Sequence, residues 1–81
     1  MFEVYVLKSN QWETRYVGFA VKAEDRLREH NEGNCRYTKG RRPWEIIYIE
    51  TFATRREAMS REKFLKSGQG RKMLDELFKK N

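Results

Sequence analysis

In the segment RLREHN, Arg26 and the chain's single histidine, His30, stand four residues apart. On a helix that spacing puts a guanidinium and an imidazole on one face. The guanidinium can neutralise an anion, and the imidazole can move a proton near neutral pH. Tyr5 and Tyr16 add two phenols, each inside a segment dense in β-branched and aromatic residues. Glu62 stands four residues after Ala58 and three before Leu65, which places a carboxylate on or beside the buried stripe of a helix. Each residue alone has an ordinary explanation. Tyrosines in strands pack, a histidine near a helix C-terminus complements the dipole, and Glu62 can pair with Lys66 one turn on. Together they offer the groups needed for proton transfer and for holding a phosphate.

Charge points the same way. The chain of 81 residues carries a net charge of +6 and a pI near 9.7, with basic clumps at 41–42, 55–56, 70–72 and 79–80. A polyanion is the natural partner, since phosphate contacts release counterions and favour binding without a sequence code. Arg15, Lys39, Arg41, Arg42, Arg55 and Arg56 are the cations expected to grip a nucleic-acid backbone, and such contacts do not specify bases. Lone Cys35 rules out an internal disulfide and fits a reducing compartment. One cysteine and one histidine leave no zinc or iron–sulfur site to propose. Glu3 falls where a signal peptide needs a basic start and an uninterrupted apolar run, and the longest apolar run, IIYI at 46–49, is too short to span a bilayer. The expectation is a cytoplasmic protein with no membrane partner, monomeric by default.

The elements that must position these groups make one domain over 1–81. FEVYVLKS and TRYVGFA read as strands, and SNQW at 9–12 as their hairpin loop. With Lys8 facing Glu13, Tyr5 lies directly opposite Tyr16. A helix over 22–31 turns Ala23 and Leu27 inward, and Gly33 is its left-handed stop. CRYTKGRRP is a basic loop closed by the chain's one proline. WEIIYIETF, apolar on both faces, reads as a central strand. Thr54 and Glu57 form a capping box for a helix over 55–67, which SGQG breaks. A last amphipathic helix over 71–79 turns Met73, Leu74, Leu77 and Phe78 to the core. The order β-β-α-β-α-α predicts an α+β fold, a small three-stranded antiparallel sheet flanked by three helices. Gly18, at the exit of the second strand, permits close backbone approach or a positive φ.

EVY at 3–5, YVG at 16–18, an arginine ten residues past Tyr16, REHN after it, and EAMSREKFLKSGQGRK at 57–72 follow one another in a definite order. In that order they resemble the GIY-YIG nuclease superfamily, and TKGRRPWEIIYIE is similar to its small stand-alone bacterial branch. The resemblance covers essentially the whole chain. It implies a metal-dependent endonuclease that hydrolyses phosphodiester bonds, in DNA more than in RNA. Glu62 aligns with the family's metal-binding glutamate, and a single carboxylate suits Mg²⁺ or Mn²⁺, which keeps waters and shares substrate phosphate. Arg26 would neutralise charge on the phosphate, and His30 would hydrogen-bond the phosphate or the attacking water. One tyrosine would take the water's proton while the other positions it; Tyr5 is the preferred base, and the sequence leaves the choice open. A free phenol with a pKa of about 10 needs roughly 4 kcal/mol to ionise fully near pH 7.

The chain also departs from the family pattern. Glu3 replaces the glycine of the first motif, on the strand face that it shares with Tyr5, where its carboxylate would repel a phosphate or help to hold the metal. The helix starting near Lys22 has no Ser, Thr, Asp or Asn cap. Many family members place an asparagine after the metal glutamate, and here only Asn81 follows it. The competing readings are a nucleic-acid-binding module without cleavage on the same fold, and a partner-docking domain.

Overall fold

Alternation in FEVYVLKS sends Val4 and Val6 to one side of a strand and Tyr5 and Leu7 to the other, and all four are buried. Burial on both sides requires a neighbour on each edge and a layer on each face. The computed structural model, which describes residues 1–79, supplies both. Strand β1 (Phe2–Ser9) lies between β2 (Arg15–Ala20) and β3 (Trp44–Phe52) in an antiparallel sheet of order β2-β1-β3. Helices α1 (Ala23–Asn31) and α2 (Arg36–Lys39) cover the face with Tyr5, Leu7 and Trp44. Helices α3 (Arg55–Lys66) and α4 (Gly68–Leu77) cover the face with Val4, Val6 and Val17, burying Ala58, Leu65 and Leu74 against them.

The α+β class and the three-stranded antiparallel sheet are as expected, with a fourth helix among the described residues. The addition is α2, one short turn inside the basic segment that reads as loop. Central placement belongs to β1, and β3 is an edge. The apolar run on both faces of β3 has another cause. Val6 pairs with Tyr48 and Leu7 with Ile46, so Ile47 is the extra residue of a bulge. Ile46 packs on the α1 side while Ile47 and Tyr48 pack on the α3–α4 side. The SGQG segment does not form a break of its own. Ser67 ends α3, and its hydroxyl accepts from the Gly70 amide as the cap of α4, which starts at Gly68. Met73, Leu74 and Phe78 reach the core, whereas Leu77 is half exposed.

The hairpin register also differs from the expectation. Tyr5 faces Gly18, Leu7 faces Tyr16 and Lys8 faces Arg15. The loop is longer because the Ser9 hydroxyl accepts from the amides of Gln11 and Trp12, and the Ser9 amide donates to Thr14. The offset of two residues keeps both phenols on one face. The expected capping box at Thr54 and Glu57 is present, and Gly33 takes a φ of +86° after α1.

Glu3 and the uncapped start of α1 explain each other. Lys22 gives no side-chain cap, and the Glu3 Oε1 atom accepts from the Ala23 amide at 2.7 Å. A carboxylate at a helix N-terminus satisfies an orphan donor and complements the dipole. The acid in place of the motif glycine is thus engaged by α1 and is not left facing a phosphate. At the other end of α1, Asn31 accepts from the Trp44 amide at 2.7 Å and donates to the Trp44 carbonyl at 3.0 Å, tying the helix to β3. Glu3→Ala is expected to destabilise the fold by about 1 kcal/mol, with Glu3→Gln retaining part of that. Urea unfolding of the two variants checks it; equal stability of Glu3→Ala and the parent would contradict the cap.

Candidate active site

Tyr5 lies opposite a residue without a side chain, and its ring lies across that gap. A Cβ added at Gly18 would stand 2.5 Å from the Tyr5 hydroxyl oxygen and 3.2 Å from Tyr16 Cε2. Gly18 does not have a positive φ. Its role is space for a phenol, the close-approach alternative of the two expected. Tyr5 is 1% exposed, and its oxygen lies 3.3 Å from Nε2 of His30.

His30 sits near the end of α1, where the helix runs over the sheet, and is itself buried. Its Nδ1 lies 2.8 Å from the Thr38 hydroxyl of α2. Tyr16 completes the aromatic cluster, its ring centroid 4.8 Å from that of His30 and 6.5 Å from that of Tyr5. Arg26, one turn before His30, stands against the Tyr5 phenol and pairs with Glu29 at 2.9 Å. Its side chain is 43% exposed, so it can turn from Glu29 to an incoming anion.

Glu62 comes from α3, which packs against the other face and against the edge strand β2 that carries Tyr16. Its carboxylate is 3.3 Å from the Lys66 ammonium, which lies 5.8 Å from the centre of the Tyr16 ring. The charge of Glu62 is felt at both phenols. The structural pairing of Glu62 with Lys66 is therefore present, and it stands beside the aromatic cluster.

Burial sets the electrostatics. It raises the pKa of Tyr5, against the opposing pull of the Arg26 guanidinium, and it raises that of Tyr16. Burial, with the Arg26 charge in support, lowers the pKa of His30. At neutral pH the two phenols are protonated and the imidazole is uncharged.

The cations expected to bind nucleic acid have these surroundings. Arg15 is paired with Asp75 of α4. Arg42 donates to the carbonyls of Lys39 and Asn31 and so braces the α1–α2 corner. Arg41 donates to the Tyr37 carbonyl and lies over that ring. Arg55 lies over Phe19 on the α3–α4 side. Lys39 and Arg56 are exposed. A cleft beside Tyr16 is lined by Tyr37, Lys66, Arg71 and one of the expected cations, Arg15. Lys66 had a signal in the sequence, its place four residues after Glu62. Thr38 had none, being a small polar residue in a basic stretch. Asn81, named above for the family's late asparagine, lies outside the described residues.

Comparison with known proteins identifies the family. The family model described as the GIY-YIG catalytic domain matches residues 1–74. The UPF0213 protein CPE1444 of Clostridium perfringens is 42% identical over 64 residues, covering 78% of this chain and 68% of that protein. The UPF0213 protein YazA of Bacillus subtilis is 42% identical over 66 residues, 80% of this chain and 64% of that protein. The chain thus spans about two thirds of the length of these relatives. The solution structure of the UPF0213 protein BH0048 from Bacillus halodurans superposes with a TM-score of 0.56 at 28% identity, covering 96% of this chain and 86% of that one. On the match to its catalytic-domain model, the chain belongs to the GIY-YIG family, a nuclease superfamily.

Proposed function

We propose that the chain is an endonuclease that hydrolyses phosphodiester bonds in DNA with the help of a divalent cation, Mg²⁺ or Mn²⁺. The observation that carries the reading is the buried Tyr5–His30 contact of 3.3 Å, with Tyr16, Arg26 and the Glu62–Lys66 pair around it.

Glu62 is the residue that would hold the cation. Among the described residues no three His, Cys, Asp or Glu side chains cluster as a metal cage. A lone carboxylate fits a hard ion that keeps its waters and shares the substrate's phosphate. When bound, the ion supplies charge stabilisation at the phosphate and leaving oxygen. Lys66, paired with Glu62 at 3.3 Å, would be the neighbouring cation able to meet a phosphate.

The rest follows from the protein's own groups. Tyr16 positions the attacking water, and Tyr5 takes the water's proton as it passes its own to Nε2 of His30. Water oxygen bonds to phosphorus, the bond to the leaving oxygen breaks, and that oxygen is protonated from solvent. A free phenolate, more costly than the roughly 4 kcal/mol of an unperturbed phenol because burial raises its pKa, never has to form. Neutral His30 is the final acceptor, and Glu29 favours its charged form. Arg26 leaves Glu29 to neutralise charge on the non-bridging oxygens.

Supercoiled plasmid, branched DNA and single strands incubated with Mg²⁺ or Mn²⁺, with a chelator as control, test the proposal. Metal-dependent nicking is expected, with a loss of at least about 100-fold in Glu62→Ala and Tyr5→Phe while salt-sensitive binding remains. Binding without metal-dependent nicking, and indifference to Tyr5→Phe, would replace the reading with that of a binding module.

The pH profile has a definite sign. His30 must be neutral to accept a proton, and its pKa is lowered from 6.5. Cleavage should hold constant down to about pH 6.5 and fall as acid protonates the ring. The unfolded chain binds that proton more readily, so stability should also drop as pH falls below about 6.5. A rate that rises on acidification through pH 6 would contradict the assignment.

A further inference from the structure

The hydroxyl of Thr38 is fully buried beneath His30, in a segment with no other part in the proposed chemistry. Its neighbours on either side, Tyr37 and Lys39, are exposed. The backbone around it is held firmly: the Trp44 indole donates to the Thr38 carbonyl at 2.9 Å. The side chain touches two polar partners. Its oxygen lies 2.8 Å from Nδ1 of His30 and 3.3 Å from the Cys35 carbonyl, to which the hydroxyl donates.

Counting protons along the buried chain, one arrangement serves every group from within the protein. The Thr38 hydroxyl has one proton. If it went to Nδ1, then Nε2 would carry the ring's proton and donate it to Tyr5. The Tyr5 oxygen would then accept from His30, and the nearby Arg26 guanidinium can only donate. The phenol's own proton would then have no protein partner among the described residues and would point to the water, the reverse of the direction the proposed step needs. If the Thr38 proton instead goes to the Cys35 carbonyl, all are served. Nδ1–H donates to Thr38, and Nε2 keeps a lone pair for the Tyr5 hydroxyl.

We infer that Thr38 is a positioning residue that fixes His30 in the Nδ1–H tautomer, so that the ring offers Tyr5 an acceptor and not a donor. The inference deepens the proposed hydrolysis and rests on it for its purpose, though not for its geometry. The other tautomer would block the reaction as drawn, because a ring with its proton on Nε2 has no lone pair there to receive Tyr5's. Thr38 touches neither water nor phosphate. It acts through His30.

Because the chain has one histidine, a long-range proton–nitrogen correlation spectrum of nitrogen-15-labelled protein reads its tautomer without ambiguity. The unsubstituted protein is expected to show the proton on Nδ1 and an unprotonated Nε2 at neutral pH. A proton on Nε2 would overturn the inference with no variant needed. In Thr38→Val the Nδ1–H form should lose its dominance, and Thr38→Ser, which keeps the hydroxyl, should restore it. Cleavage should follow the tautomer, falling at least about tenfold in Thr38→Val and recovering in Thr38→Ser. A Val variant that keeps the parent tautomer would also overturn it. If the tautomers change as expected and no protein in the series cleaves, the positioning stands and the nuclease reading falls.

Discussion

One contact organises this small fold: the Tyr5 phenol crosses the empty face of Gly18 and meets the buried imidazole of His30 at 3.3 Å. The rest of the architecture can be read as what makes that contact possible. Tyr5 is central because β1 is the middle strand. Gly18 has no side chain to obstruct the ring. His30 is brought down onto the sheet because α1 is fixed at both ends, by Glu3 at its start and by Asn31 at its close. An 81-residue chain has few apolar layers to spare, and this one places a buried polar network inside one of them. Satisfied hydrogen bonds at every step keep that arrangement from being a defect.

Burial also divides the labour between the two titratable groups. It pushes the phenol up and the imidazole down, so at neutral pH the phenol keeps its proton and the ring is uncharged. In the proposed relay this makes His30 the waiting acceptor, used only when a water near the phenol begins to lose its proton. Arg26 and Glu62 lie toward solvent, each with a partner of opposite charge, Glu29 and Lys66. Those two pairs are the parts that a phosphate and a cation would rearrange, while the aromatic floor stays fixed.

The sequence was most legible where the chemistry is local. The capping box at Thr54 and Glu57, the stop at Gly33, the inward Ala23 and the shared face of Arg26 and His30 depend on spacing within a turn, and spacing is printed in the chain. Legibility failed where a distant partner decides. Glu3 reads as a hazard to a phosphate until a helix N-terminus twenty residues away engages it. The run IIYI reads as a central strand until a bulge accounts for apolar residues on both sides. The hairpin register depended on Ser9 holding two loop amides, and the error of two residues did no harm only because side chains alternate. Thr38 had no signal, since nothing near it in sequence marks a histidine eight residues back as its partner. The contacts of the basic residues were not legible either: Arg15, Arg41, Arg42 and Arg55 touch an acid, backbone carbonyls or rings that only the fold brings near, and Lys66 and Arg71 join Arg15 in the cleft beside Tyr16.

In the proposed relay Tyr5 and His30 act as one unit through which a proton passes. A double-mutant cycle on DNA cleavage, with Tyr5→Phe, His30→Gln and the pair, tests that coupling. If the residues form one relay, the double variant should be about as slow as the slower single one, the coupling nearly cancelling the second loss. Losses that multiply, each substitution costing the same with or without the other, would mean that the two side chains work independently and that the contact between them is packing alone.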